Sequence, residues 1–139
     1  MVNSATTNLP LHSACYSKSL RLLTAQDFKH VFDQTTFKVH TSHLLFFVHI
    51  PSDKTALNRL GLAIAKKKIK RAHERNRLKR LLREYFRAHQ SQLPCTVELV
   101  VIAKQDVSSC ENAEIFTQIA QAFSQIARKS LKILSSQTQ

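Results

Sequence analysis

Apolar residues recur at helical spacing in three segments of the chain, which predicts three helices. The clearest case is residues 71–90, where large apolar side chains occupy the i, i+3, i+4, i+7 and i+8 positions of one stripe. These side chains are Leu78, Leu81, Leu82, Tyr85 and Phe86. Residues 25–34 and 111–134 carry similar stripes. Each of the three segments is therefore expected to bury one side against the sheet.

The first of these helices has a clear start. Thr24 is a favourable N-cap residue, and Asp27 in the first turn suits the positive end of the helix dipole. Phe28, Val31 and Phe32 then share one face. Such residues ordinarily belong to a core, but an aromatic ring at the exposed lip of a sheet can also stack on an unpaired base. Both interpretations stay open at this point.

Three shorter stretches predict β-strands. Residues 37–50 are extended in character, with a turn near residues 41–42, and residues 59–65 form a short apolar run. Residues 95–103 are rich in β-branched side chains. The predicted order of elements is αβββαβα. The helix at residues 71–90 connects the strands at residues 59–65 and 95–103 and is expected to cross over the sheet. Phe46 and Phe47 point to opposite faces of one strand, so one of them can line a groove.

The length of 139 residues and the apolar fraction of 43% are typical of one folded domain. Residues 21–136 are predicted to form a single α/β domain, preceded by a flexible arm at residues 1–20 that is rich in Ser, Thr and Asn. No apolar run is long enough for a membrane span, and the start of the chain does not resemble a signal peptide. Cys15, Cys95 and Cys110 are widely spaced, which fits ordinary thiols in a reducing cytoplasm.

Charge is concentrated in one segment of the chain. Residues 66–87 contain eleven of the 21 Lys and Arg residues and only two acidic residues, Glu74 and Glu84. Eleven positive charges less two negative ones leave +9 of the formal net charge of +12 in this segment. A surface of this charge predicts salt-sensitive association with a polyanion.

The helix in this segment predicts which polyanion is bound. Its face opposite the apolar stripe carries Asn76, Lys79, Arg80, Arg83 and Arg87. An ordinary solvated face mixes the two signs, whereas like charges at i,i+4 spacing destabilise a free helix by about 0.2–0.5 kcal/mol per pair. Phosphate groups would supply the missing negative charge. An anionic membrane is a weaker alternative, because the apolar stripe is needed for the core.

One detail of this helix favours RNA. Asn76 lies between Arg75 and Arg77. An amide that donates and accepts hydrogen bonds, next to two guanidinium groups, suits a folded RNA, in which phosphates, 2′-hydroxyls and base edges lie close together.

No arrangement of residues in the sequence predicts catalysis by the protein. The histidines His40, His43 and His49 lie in the strand region without metal-ligand spacing, and the chain has no H-E-x-x-H, P-loop or G-x-G-x-x-G motif. A protein-only nuclease would need carboxylates held together around metal ions, and the sequence shows no such cluster. We therefore expect no catalytic residue and no metal bound by the protein alone.

The basic segment also carries a resemblance to a known family. The run RLGLAIAKK at residues 59–67, followed by RAHERNRLKRLLREYFR at residues 71–87, resembles the bacterial ribonuclease P protein component. The R-N-R core, the K-R pair that follows it and the R-E-Y-F-R run match that family's signature. RLLTAQDFKHVF at residues 21–32 resembles its first helix, and LPCTVELVVIAK at residues 93–104 resembles its fourth strand.

The resemblance implies an α+β fold: a small αβββαβα two-layer sandwich, with a mixed sheet and a left-handed βαβ crossover that departs from the usual rule. It implies the non-catalytic protein subunit of an endoribonuclease whose RNA, with Mg²⁺ held mainly by that RNA, removes the 5′ leader from precursor tRNA. The expected partners are ribonuclease P RNA and precursor tRNA, with no membrane and no obligatory protein partner. A ribosomal-type structural RNA-binding protein of similar fold is the alternative.

The resemblance also implies roles for individual residues. The RNA-binding set combines residues matched to the family's motif with Arg71 and Arg87 beside them: Lys66, Lys67, Arg71, Arg75, Asn76, Arg77, Lys79, Arg80, Arg83 and Arg87. Phe28 and Phe32 correspond to the aromatic residues that contact the leader, and Phe46 is the strand residue expected to join them in a leader groove. Residues 68–71 depart from the family, because many members have a glycine before the helix.

Overall fold

The structure, a computed structural model, describes residue 21, residues 24–52 and residues 57–137. Its elements follow the predicted order: α1 (Ala25–Asp33), β1 (Phe37–His40), β2 (Leu44–His49), β3 (Arg59–Ala63), α2 (Ala72–His89), a 3₁₀ turn (Gln90–Gln92), β4 (Glu98–Ala103) and α3 (Asn112–Gln137). The α+β class is confirmed. The predicted arm at residues 1–20 lies outside the described residues.

The four strands form one mixed sheet in the order β1-β2-β4-β3. β1 pairs with β2 and β2 with β4 in antiparallel register, whereas β3 and β4 are parallel. Helix α2 connects these two parallel neighbours, so the expected crossover is present; its left-handedness stays a prediction. β4 begins at Glu98 and not at residue 95 as predicted. Glu98 is the first residue of β4 that pairs with a neighbouring strand, with His49 of β2 on one side and Arg59 of β3 on the other.

The main core lies between one face of the sheet and the helices α2 and α3. Alternate residues of β2 point into it, namely Leu44, Phe46 and Val48, each with at most 1% of its surface exposed. The predicted stripe of α2 packs against them: Leu78, Leu81, Leu82 and Phe86 are buried and Tyr85 is half-buried. This face of the sheet and its two helices make up the two-layer sandwich.

Helix α1 covers part of the opposite face of the sheet. Val31 of α1 and Val100 of β4 are both completely buried and form a second, smaller apolar cluster, with Phe28 and Phe47 packed against it. The helix starts with a capping box, because the backbone N–H of Asp27 donates to Thr24 Oγ1 over 3.0 Å and Thr24 N–H donates to the Asp27 carboxylate over 3.1 Å. The predicted N-cap at Thr24 is confirmed.

Within the described part of the chain, no helix has the length and hydropathy that crossing a membrane requires.

Candidate nucleic-acid interface

The loop between β3 and α2 presents lysines to the solvent. Lys66, Lys67 and Lys68 form an exposed turn, in which the backbone N–H groups of Lys68 and Ile69 both donate to the carbonyl of Ala65 over 3.1 Å. Ile69 is completely buried in the main core. Ile69 is therefore an apolar anchor for the loop where many relatives were expected to have a glycine.

Arg75 holds this loop against the first turns of α2. Its Nη1 donates to the carbonyl of Ile69 over 2.8 Å and to the carbonyl of Lys70 over 2.9 Å. The side chain is half-buried, whereas its neighbour Arg71 is exposed. In the structure Arg75 makes these hydrogen bonds within the protein, and its predicted contact with RNA stays a prediction.

Arg77 is also engaged within the protein. Its Nε donates to Glu74 over 2.7 Å, Nη1 to Asn112 Oδ1 over 2.7 Å and Nη2 to the carbonyl of Val107 over 2.9 Å. Only 20% of its side chain and 12% of that of Glu74 are exposed. Arg77 therefore connects α2 to the start of α3, and its contact with RNA stays a prediction.

One amide side chain and the remaining lysine and arginine side chains of α2 form an outward surface, which we call the basic ridge. It consists of Asn76, Lys79, Arg80, Arg83 and Arg87, all of them exposed except the half-buried Lys79. Arg80 lies 3.3 Å from Glu84. In the described part of the chain, no carboxylate lies within 4 Å of the charged groups of Lys79, Arg83 or Arg87. The ridge is therefore free to bind an external anion.

A second surface lies on the opposite face of the sheet, at α1. Phe32 is 39% exposed, and its ring meets that of Phe47 edge to face, with 4.8 Å between the ring centroids. Lys38 Nζ lies 5.2 Å from the centroid of the Phe47 ring. We call Phe28, Phe32 and Phe47 the aromatic patch; it combines partly exposed rings with a cation, as surfaces that bind single-stranded nucleic acid do.

The expectation that Phe46 lines a groove is wrong. Phe46 is completely buried in the main core, where no ligand can reach it, and Phe47 takes the outward position. The alternation of apolar and polar residues along β2 already indicates which of the two phenylalanines points inward. Phe46 shares its face with Leu44 and Val48, whereas Phe47 shares its face with His49, so the second face is the more polar one.

Comparisons with known proteins agree with this architecture. Residues 16–127 match the family model described as Ribonuclease P. The ribonuclease P protein component of Acinetobacter baylyi is 44% identical over 117 residues, covering 84% of this chain and 87% of the relative. That of Haemophilus influenzae is 41% identical over 118 residues, covering 83% and 96%.

Solved structures show the same fold. The ribonuclease P protein of Staphylococcus aureus superposes with a TM-score of 0.68 at 23% identity, covering 77% of this chain and 94% of that one. The protein from Thermotoga maritima gives a TM-score of 0.65 at 23% identity, covering 76% and 96%. The likeness extends over nearly the whole of both solved chains.

Proposed function

Because this chain belongs to the ribonuclease P protein family, we propose that it is the protein subunit of the ribonuclease P ribonucleoprotein. In this role it binds the catalytic RNA and the 5′ leader of precursor tRNA, and so promotes removal of the leader. The observation that carries the proposal is the family match over residues 16–127, which spans both the basic ridge and the aromatic patch.

The basic ridge is the proposed contact with the catalytic RNA. Four cationic side chains and one amide line one face of α2, and three of the four cations have no carboxylate near them among the described residues. Phosphates would relieve the repulsion between Lys79, Arg83 and Arg87, which follow one another at i,i+4 spacing. Lys66, Lys67 and Arg71 extend the same charge along the preceding loop.

The aromatic patch is the proposed contact with the leader. A single-stranded leader exposes its bases, and each base that stacks on an aromatic ring contributes about 1–3 kcal/mol. Phe32 offers the most exposed ring of the patch, and Lys38 lies close enough to Phe47 to meet the backbone phosphates beside a stacked base. This contact does not depend on the leader sequence, because every base has a stacking face.

The chemistry of cleavage is assigned to the RNA and its Mg²⁺. Mg²⁺ prefers a shell of oxygen ligands, and the cationic residues of the ridge do not fit that requirement. The groups of possible metal ligands among the described residues each contain one carboxylate, whereas a two-metal nuclease site needs several. The protein's part is to neutralise the repulsion between two RNA molecules and to hold the leader.

A reconstitution assay tests the proposal. Precursor tRNA is incubated at low Mg²⁺ with bacterial ribonuclease P RNA alone, with the protein alone, and with both. Cleavage at the mature 5′ end is expected only in the mixture. Cleavage by the protein alone would place the active site in the protein, and folded protein that does not stimulate the RNA would favour the ribosomal-type alternative.

A further inference from the structure

Two histidines and a glutamate from three different elements meet on the sheet face covered by α1. His49 of β2 and Glu98 of β4 are direct partners in the antiparallel register, and Nδ1 of His49 lies 2.9 Å from Oε1 of Glu98. The last turn of α1 places His30 over them, with its ring edge to face against that of His49 at 5.1 Å. One possible ligand atom from each residue lies within 4.8 Å of the other two.

This set of side chains matches a known kind of metal site. Two imidazoles and one carboxylate, with a fourth position open to water, are a recurring tetrahedral ligand set for zinc. Bonds of about 2.0–2.2 Å place tetrahedral ligand atoms about 3.3–3.6 Å apart. The 2.9 Å contact between His49 and Glu98 must therefore lengthen slightly, and a ligand atom up to 4.8 Å away must approach by up to about 1.5 Å. His30 is exposed and can make that movement by rotating its ring.

The residues around Glu98 orient its carboxylate toward the cluster. Glu98 is buried, and its Oε2 faces Nη1 of Arg59 at 3.6 Å while Oε1 faces His49. Arg59 is itself held by the carbonyl of Arg21 at 3.0 Å and lies 3.5 Å from Asp27. A carboxylate fixed by outer partners is oriented for a cation.

A second cluster in the molecule, His43 with Cys110 and Glu114, serves as a contrast. Gln118 Oε1 accepts from the backbone N–H of His43 over 3.1 Å, so its amide nitrogen must face Nδ1 of His43, 2.9 Å away. Nδ1 then accepts, and Nε2 carries the proton, pointing at Cys110 Sγ over 3.5 Å. Both ring nitrogens of His43 are thus engaged, and a metal would have to displace the Nε2 proton and break this chain of contacts.

The thiol of this second cluster is also poorly suited to bind a metal. Burial, followed by the hydrogen bond with Glu114, raises the pKa of Cys110. A raised pKa disfavours the thiolate that a metal needs. The second cluster is therefore a hydrogen-bond chain that connects the β1–β2 turn to α3. In the first cluster Glu98 accepts the Nδ1–H of His49, and a bound cation would replace that one proton.

We propose that His30, His49 and Glu98 bind one divalent cation of the zinc class, which fastens the end of α1 to the sheet. Imidazole ligands select zinc and similar transition metals over Mg²⁺. This site goes beyond the proposed function and does not depend on it. It also replaces the expectation that the protein alone holds no metal, because its ligands come from positions 30, 49 and 98, which no local spacing in the sequence brings together.

The test uses metal-free, tag-free full-length protein without RNA. Titration with ZnCl₂ in a calorimeter is expected to show one saturable site. Loss of an outer-shell partner costs about 10–100-fold in metal affinity, so His30→Ala, which removes a direct ligand, is expected to cost at least about tenfold. Zinc is also expected to raise the thermal midpoint of the parent protein and not that of the variant, since a ligand that binds the native state stabilises it.

Two control variants separate this site from other histidines and thiols. His40→Ala removes an exposed histidine of β1, and Cys110→Ser disables the second cluster. Both variants are expected to bind zinc as the parent does, and the Co²⁺-loaded protein is expected to show no thiolate charge-transfer band. Absence of saturable binding, unchanged affinity in His30→Ala, or loss of binding in Cys110→Ser would each overturn the proposal.

Discussion

The arginines of α2 form two groups that differ in what their guanidinium groups contact. Arg75 and Arg77 donate to backbone carbonyls and side chains of the protein, whereas Arg83 and Arg87 are exposed. The first group shapes the surface on which the second is displayed. Substitutions in the two groups are therefore expected to affect different measurements.

Arg77→Ala is expected to lower the free energy of unfolding by about 2 kcal/mol, because it removes charged hydrogen bonds and leaves Glu74 without this partner. Arg83→Ala, the matched control on the same helix, is expected to change it by less than about 0.5 kcal/mol. Urea denaturation followed by circular dichroism measures both values. Equal stability of the two variants would show that the contacts of Arg77 contribute nothing.

Arg83→Ala is expected to act instead on RNA binding. Removing one phosphate contact should reduce the slope of log K against log salt concentration by about 1. Filter-binding titrations with ribonuclease P RNA at several salt concentrations measure the slope. A slope identical to that of the parent protein would place Arg83 outside the interface.

Phe32 and Phe46 form a second pair of residues with separable roles. Phe32→Ala is expected to weaken the binding of precursor tRNA to the assembled enzyme by about 1–3 kcal/mol, which is the contribution of one stacked base. Mature tRNA, which has no leader, should bind as before. Phe46→Leu, in the main core, should reduce stability without this selectivity; the reverse pattern would remove Phe32 from the leader contact.

At the scale of elements, α1 is the part whose stability depends most on its ends. It has nine residues, and isolated helices shorter than about 12–15 residues are marginal in water. Val31 anchors it to the sheet, and the capping box of Thr24 and Asp27 satisfies its first N–H groups. This short helix carries Phe28 and Phe32 and also His30, so both proposed sites on this face depend on its position.

Thr24→Ala is expected to lower the free energy of unfolding by about 1 kcal/mol through loss of the N-cap. Thr117→Ala, at an exposed position within α3, should be neutral or slightly stabilising, because alanine is the better helix former there. Thermal denaturation of the two variants tests the difference. Hydrogen exchange should show the loss of protection concentrated in α1; uniform loss along the chain would contradict this interpretation.

At the scale of the molecule, the sheet separates two surfaces. The basic ridge belongs to a helix packed on one face, and the aromatic patch lies with α1 on the other. Under the proposed function, this arrangement would let one small protein contact two RNA segments at once. The net charge of +12 then favours both contacts at a distance.

Whole-protein binding to ribonuclease P RNA is accordingly expected to depend steeply on salt. If about 6–10 phosphates are neutralised, affinity should fall by about 10³–10⁵ between about 50 and 200 mM salt. The same titration with Arg77→Ala, compared under conditions where that variant is folded, should give nearly the parent slope, since Arg77 points inward. A shallow slope for the parent would contradict an interface dominated by phosphates.

The sequence by itself determined the elements, their order and the buried stripe of α2. These features depend on local periodicity: Leu78, Leu81, Leu82 and Phe86 fall on one side of any helix that contains them. The concentration of charge in residues 66–87 likewise needs no structure to be seen. Thr24 could be identified as an N-cap for the same reason, since capping involves residues only three positions apart.

The tertiary structure alone decided which side chains are free and which are engaged. Arg77 looks like its neighbours in the sequence, and only the approach of Val107 and Asn112 turns it inward. Phe46 and Phe47 differ by one position, and the packing of α2 and α3 on one face decides which of them is buried. His30, His49 and Glu98 meet because strand pairing and a helix bring distant positions together, and local periodicity carries no information about such contacts.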